Sequence, residues 1–201
     1  RVQLEKDKMP ISHKMSKTMP NKFNFCPICK STSIDFINNQ KWFCKDCGFD
    51  LYNNVACAVG LIIQDIDDSI IFEVRAKEPR KGFLALPGGF CDIEKKKKNA
   101  AFRECKEETG ITPDSIEYIA SFPNTYPYKN FIYKTCDLFF LAKFKNNNYK
   151  IIDQMKGQES EVVNFKSIKI NSLDDIENIP IAFESAKKAL KVWFFQKRNN
   201  N

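Results

Sequence analysis

Between Gly88 and Ile111 the chain reads GGFCDIEKKKKNAAFRECKEETGI, and no other stretch restricts the fold as much. A glycine pair enters a turn. From about Lys96 to Thr109 there is neither Gly nor Pro, and most residues are good helix formers. On a helix Glu104 faces Glu107 at i+3 and Glu108 at i+4, so three carboxylates share one side. Ala101 and Cys105, also four apart, make a different, apolar side that can pack. Clustered anions repel one another unless a cation sits among them, and all-oxygen ligands on a rigid element suit Mg2+ or Mn2+. Gly88 and Gly89 allow the close backbone approach that a phosphate or metal site requires, or simply a tight turn into the helix.

Eight cysteines bring a second constraint. Cys26 and Cys29 form one Cys-x-x-Cys pair and Cys44 and Cys47 another, with 14 residues between the pairs. Two such knuckles can bring four thiolates to a tetrahedral Zn2+, the alternative being two disulfides or unconnected thiols. Asn38-Asn39 supplies the turn of an intervening hairpin, and the segment resembles a zinc ribbon. Four protein ligands leave no open position for water, so the metal is structural, and so short a segment needs it to fold. Cys57, Cys91, Cys105 and Cys136 lie singly in predicted strands or in the helix, which reads as a reducing, cytoplasmic protein.

Residues 1–21 are basic and lack periodicity, a disordered tail by composition. They hold the one histidine, His13, which leaves no Ser-His-Asp or Cys-His arrangement. Residues 22–53 are the cysteine module and 54–198 a larger domain. There, Val55–Asp65 and Ser69–Ala76 are β-rich runs joined by an Asp-rich turn, and Phe83–Pro87 leads into the glycine pair. Ser115–Phe122 and Thr135–Phe144 read as strands, with a Pro- and Tyr-rich loop, Pro123–Asn130, between them. A strand at Val162–Phe165, a short helix capped by Ser172 and a final helix opened by Pro180 follow. On that last helix Phe183, Ala186, Leu190 and Phe194 share a face. Strands and helices alternate around one sheet, a layered α/β fold. No apolar run reaches the roughly 18–20 residues of a membrane span, and the net charge of +7 suits an anionic partner such as a nucleotide or nucleic acid.

Aligned on Gly89, the opening stretch resembles the signature of the Nudix hydrolases: a glycine, a spaced glutamate, then Arg-Glu-aliphatic-any-Glu-Glu-any-Gly-aliphatic. The second half falls on Arg103, Glu104, Glu107, Glu108, Gly110 and Ile111, with Cys105 at the aliphatic position. The first glutamate is replaced by Lys95, and Glu94 lies one residue early. The resemblance covers about Val55 to Phe195 and, with the ribbon, is similar to the zinc-ribbon-containing subgroup related to NADH pyrophosphatases. It implies an α/β/α sandwich, a mixed sheet between helices, and hydrolysis of the pyrophosphate bond of a nucleoside diphosphate linked to another moiety, of the ADP-ribose, NADH or dinucleoside polyphosphate type. Glu104, Glu107 and Glu108 then hold Mg2+ or Mn2+, Arg103 fixes a carboxylate, and the general base falls at Glu159 or Glu161. Arg75, Arg80 and Lys81 reach phosphates beside Gly88 and Gly89, and Tyr126 or Tyr128 stacks on a base. The downstream NADH motif of that subgroup is matched here at Ser121 and Pro123 alone. The basic run Lys95–Lys98, in place of an expected acid, favours an alternative, a Nudix module that binds a nucleotide or RNA without hydrolysing it. A homodimer is a further expectation.

Overall fold

The structure, a computed structural model, describes residues 23–38, 40–94, 96–129, 131–145 and 149–199. The basic tail with His13, and Asn39, Lys95 and Asn146–Asn148, lie outside the described residues. The chain divides between Asn53 and Asn54 into two compact units, and each is described by itself.

The first unit is an antiparallel sheet in the order β1 (Ile34–Ile37), β2 (Lys41–Cys44), β3 (Asp50–Tyr52). Its apolar interior is small. Trp42 is buried against Phe23 and Phe36, with ring centroids 4.8 and 5.0 Å away, and Cys26 and Cys44 are the other buried apolar residues.

The second unit is built on β4 (Ala56–Gln64), β5 (Ile70–Arg75), β6 (Leu84–Ala85), β7 (Ser115–Tyr128), β8 (Phe131–Lys143) and β9 (Val162–Ile168). The sheet runs β6-β5-β4-β8-β7, with β9 on the free side of β5. It is mixed: β4 lies parallel to β8, and the other pairings are antiparallel. Among the described residues three α-helices accompany it, α1 (Lys97–Thr109), α2 (Leu173–Asn178) and α3 (Glu184–Asn199). Strand alternation sorts the core into two layers. Val59, Leu61, Ile63 and Ile71 pack with Ala100, Ala101 and Cys105 of α1. Ile62, Ile70 and Phe72 pack on the other face with Leu190, Trp193 and Phe194 of α3. Leu61, Ile62 and Ile63 are fully buried, each side chain contributing roughly 1.5–3 kcal/mol. The α/β/α sandwich expected from the sequence is the observed fold.

One feature of the sheet positions the cleft. β4 and β5 pair only at their joined ends, Ile63 with Ile71 and Gln64 with Ile70, and then separate. The segment from Leu84 onward fills the gap. Leu84 and Ala85 pair with β5, and further along the N–H groups of Leu61 and Val59 donate to the carbonyls of Pro87 (2.8 Å) and Gly89 (2.9 Å). The glycine pair is thereby clamped to β4 at the start of the run into α1.

Three expectations need correcting. Pro123–Tyr128 is no loop but the second half of β7, paired with β8 as far as Tyr128 opposite Phe131. β7 is the edge strand, where a proline can present its missing N–H to the open side. The last helix starts at Glu184, not Pro180. The backbone ahead of it is taken by β6: Leu84 N–H donates to Pro180 O (3.0 Å), and Ala182 N–H to Leu84 O (2.8 Å). The helix in the glycine–carboxylate stretch and the Ser172 cap agree with the structure, the latter as a reciprocal capping box with Asp175. Cys57 and Cys91 do not stand singly; their sulfurs lie 3.4 Å apart.

Candidate active site

In the first unit the four knuckle cysteines converge. Their sulfurs lie within 4.8 Å of one another, Cys26 Sγ 3.7 Å from Cys47 Sγ and Cys29 Sγ 3.6 Å from Cys44 Sγ. A tetrahedron with Zn–S bonds of about 2.3 Å has edges of about 3.8 Å, so the sulfur spacing fits Zn2+. Each knuckle is closed in the same way: Lys30 N–H donates to Cys26 O (2.9 Å) and Gly48 N–H to Cys44 O (3.0 Å), both residues at positive φ. All four cysteines are free thiols.

In the second unit α1 points its carboxylates at the diglycine turn. Glu104 and Glu108 are buried, and Glu107 stands half-exposed on the same side. Gly88 N–H donates to Glu108 Oε2 at 2.5 Å. Gly89 lies so close to Glu104 that an added Cβ would sit 2.7 Å from its carboxylate oxygen. Arg103 binds this group together. Its guanidinium donates to Glu107 Oε2 (2.7 Å) and to the Phe90 carbonyl (3.0 Å), and pairs with Glu104 Oε1 (2.7 Å) and Asp92 Oδ2 (3.2 Å). α1 ends at Gly110, whose N–H returns to Lys106 O at 2.9 Å.

These carboxylates are costly where they are. Burial pushes Glu108 up to about 8; the Gly88 N–H opposes this, and the charges of Glu104 and Glu161 add to it. Burial raises Glu104 as well, against the pull of Arg103. Facing them is a residue that pattern reasoning missed. Glu73 of β5 is buried, and its Oε2 has no hydrogen-bond partner among the described residues. Burial first, and the charge of Glu108 second, hold it well above the usual carboxylate range. Its signal was an acid among apolar neighbours in Ile70-Ile71-Phe72-Glu73-Val74. Buried acids arranged this way fit a divalent cation, which replaces mutual repulsion with attraction. Without metal, the folded chain keeps protons between pH 4.5 and about 8 that the unfolded chain has released. The metal-free protein is therefore expected to lose stability steadily across that window, as a falling melting temperature, and Mg2+ or Mn2+ to flatten the slope.

A cleft of about 520 Å3 opens beside these groups. Glu104, Glu107, Glu108 and Arg103 line it together with Gly88 and Gly89. Arg75, Lys77 and Glu161 line it too, the last two joined as an ion pair. Arg75 lies 5.2 Å over the Phe183 ring and donates through Nε to Pro79 O at 2.8 Å. Tyr126 stands at the centre of an aromatic group, 5.5 Å from Phe183, 5.7 Å from Phe90 and 6.3 Å from Tyr128. Of the residues expected here, Arg75, Gly88, Gly89, Tyr126 and Tyr128 do line the cleft, whereas Arg80, Lys81, Glu94 and Glu159 do not. Arg80 turns instead to the Phe83 ring at 5.4 Å. Glu159 is exposed in the turn before β9, and its neighbour Glu161 takes the place beside the cleft.

Gly88 bears the tightest constraint. Its φ of +154° is unfavourable for other residues, and an added Cβ would lie 2.0 Å from the Val59 carbonyl oxygen. Gly88→Ala is expected to cost about 3 kcal/mol or more in urea denaturation, since backbone must move. A variant as stable as the parent would contradict this packing.

An α/β/α sandwich whose carboxylate helix closes on a diglycine turn, with a cleft beside it, is a Nudix architecture. The chain belongs to the Nudix family: the family model described as NUDIX domain matches residues 56–191. Among curated relatives, an ADP-ribose pyrophosphatase of Methanocaldococcus jannaschii is 43% identical over 65 residues, covering 32% of this chain and 38% of its own. An NAD-capped RNA hydrolase, NudC, of Vibrio atlanticus is 25% identical over 160 residues, covering 79% of this chain. The chain thus spans only 54% of the length of that relative. Among solved structures, the NUDIX domain of Shewanella oneidensis NrtR, complexed with ADP ribose, superposes with a TM-score of 0.53 at 18% identity, over 72% of this chain and 88% of that one. That likeness is one of fold. Among the described residues, no helix is long and apolar enough to cross a membrane.

Proposed function

We propose that the second unit hydrolyses the pyrophosphate bond of a nucleoside diphosphate joined to a further group, of the ADP-ribose or NAD type, with Mg2+ or Mn2+ held by Glu104, Glu107 and Glu108. One observation carries this reading: three carboxylates of a single helix, two of them buried, close on the Gly88-Gly89 backbone and line a cleft together with Arg75 and Lys77. The ADP-ribose pyrophosphatase and the NAD-capped RNA hydrolase among the relatives support the substrate class. An RNA carrying such a dinucleotide at its end presents the same bond and is a second substrate form. In the first unit, Cys26, Cys29, Cys44 and Cys47 hold a structural Zn2+.

A divalent cation held by Glu104, Glu107 and Glu108 would supply positive charge against the diphosphate and lower the pKa of a water beside it. The protein's own groups set the geometry around it. Arg103 holds Glu104 and Glu107 in place, and the Gly88 N–H orients Glu108. Arg75 and Lys77 take phosphate charge, and Tyr126, with Phe183 or Tyr128, offers a stacking surface for a base. Glu161 is the carboxylate placed to accept the proton of the attacking water, with Lys77 beside it.

The test uses the full chain with Mg2+ or Mn2+ and a panel of ADP-ribose, NADH, diadenosine polyphosphates and NAD-capped RNA. Release of a nucleoside monophosphate that is lost in Glu107→Gln is the expected result. Tight binding without turnover of any of them overturns it.

A further inference from the structure

The cleft also holds a polar group that the hydrolytic machinery does not use. Thr135 and Asp137, two apart on β8, present to the face covered by α3, and Ser185 sits in the first turn of α3. All three line the cleft, yet they are 3%, 8% and 2% exposed. Ser185 Oγ donates to Asp137 Oδ2 at 2.7 Å, the one side-chain hydrogen bond that this carboxylate receives among the described residues. Thr135 Oγ1 is buried without a hydrogen-bond partner among the described residues. Buried hydroxyls and carboxylates are nearly always paired, and the exceptions gather where a ligand completes them.

The chemistry of the group restricts that ligand. A carboxylate accepts only, Ser185 spends its proton on that carboxylate, and Thr135 is open to either role. The floor is therefore rich in acceptors and repels phosphate. Arg75, Lys77 and the carboxylate helix, which line the same cleft, supply the groups that suit phosphate. Tyr126 and Phe183, their rings tilted at 39° with centroids 5.5 Å apart, also line the cleft, and Phe183 lies just ahead of Ser185 in the chain.

We infer that Thr135, Asp137 and Ser185 form a specificity subsite that takes hydrogen-bond donors on the nucleoside of the substrate. This rests on the nucleotide-hydrolase reading above. The shared chemistry is an O–H or N–H donor, from either a ribose hydroxyl or the exocyclic amine of adenine. Asp137 and Thr135 touch those donors directly, and Ser185 positions the Asp137 carboxylate.

The experiment compares kcat/KM for ADP-ribose, its inosine analogue and its deoxyribose analogue, together with the melting-temperature shift each ligand causes. Wild type is expected to prefer ADP-ribose by at least about tenfold over the analogue lacking the recognised donor, because a buried acceptor left unpaired penalises it. Loss against the inosine analogue assigns the amine, and loss against the deoxyribose analogue assigns the hydroxyl. Thr135→Val and Asp137→Asn are expected to erase most of that preference while hydrolysis of the pyrophosphate continues. Ser185→Ala tests the positioning role, with a weakened preference rescued by Ser185→Thr. A pair that merely ties α3 to the sheet lowers the melting temperature of the variants and leaves the preference intact, which overturns the subsite alone. A wild type that neither binds nor cleaves any of the three overturns the hydrolase reading and this subsite with it.

Discussion

Replacing Glu108 by Gln is expected to lower turnover of ADP-ribose by about a thousandfold, and to leave the metal-free protein as stable as before or more so. The two effects have one cause. Glu108 is buried next to Glu73 and Glu104, where burial and neighbouring carboxylates make its charge costly unless a cation offsets it. Glutamine keeps a carbonyl to accept the Gly88 N–H but removes the charge, so the repulsion goes and the cation affinity goes with it. The pH-dependent loss of stability expected of the metal-free parent should shrink in the same variant. Glu107→Gln behaves differently. Glu107 stands half-exposed against Arg103, so its loss is expected to reduce activity with little change in melting temperature either way. Steady-state kinetics beside thermal melts with and without Mn2+ check both. A Glu108→Gln enzyme retaining activity within tenfold removes α1 from the chemistry.

Stripping zinc is expected to unfold the first unit and spare the second. The small sheet of the first unit buries little besides Trp42, Cys26 and Cys44, whereas Zn2+ in a four-cysteine site contributes on the order of 10 kcal/mol. The second unit has two core layers of its own. The chain's two tryptophans report on the units separately, Trp42 in the first and Trp193 in the second. In a Trp193→Phe variant, a chelator should shift the remaining emission to the red as Trp42 meets water. In a Trp42→Phe variant it should not. The same red shift is expected from Cys44→Ser without any chelator, and metal analysis should find about one zinc per chain. A folded, metal-free first unit overturns the zinc assignment.

How much of this could be read beforehand depended on the range of each interaction. α1 was legible because helical spacing is local: residues three and four apart must face one another, whatever surrounds them. The four cysteines were legible for a similar reason, since a short knuckle carries its own turn. Pro123–Tyr128 misled because proline's missing N–H matters only relative to a neighbouring strand, and β7 proved to be an edge. Pro180 misled because β6 took the backbone that a helix would have used.

The carboxylate helix behind Gly88 and Gly89, and the cysteine pairs, were thus determined by the sequence itself. Only the tertiary structure decided what those carboxylates meet. Strand alternation tells which face a side chain takes but not which neighbours wait there. The pairing of β4 with β8, and the wedge of residues 84–90 between β4 and β5, are long-range events. They set Glu73 against Glu108, bring Glu161 rather than Glu159 to the cleft, and gather Thr135, Asp137 and Ser185 from two distant elements on one floor.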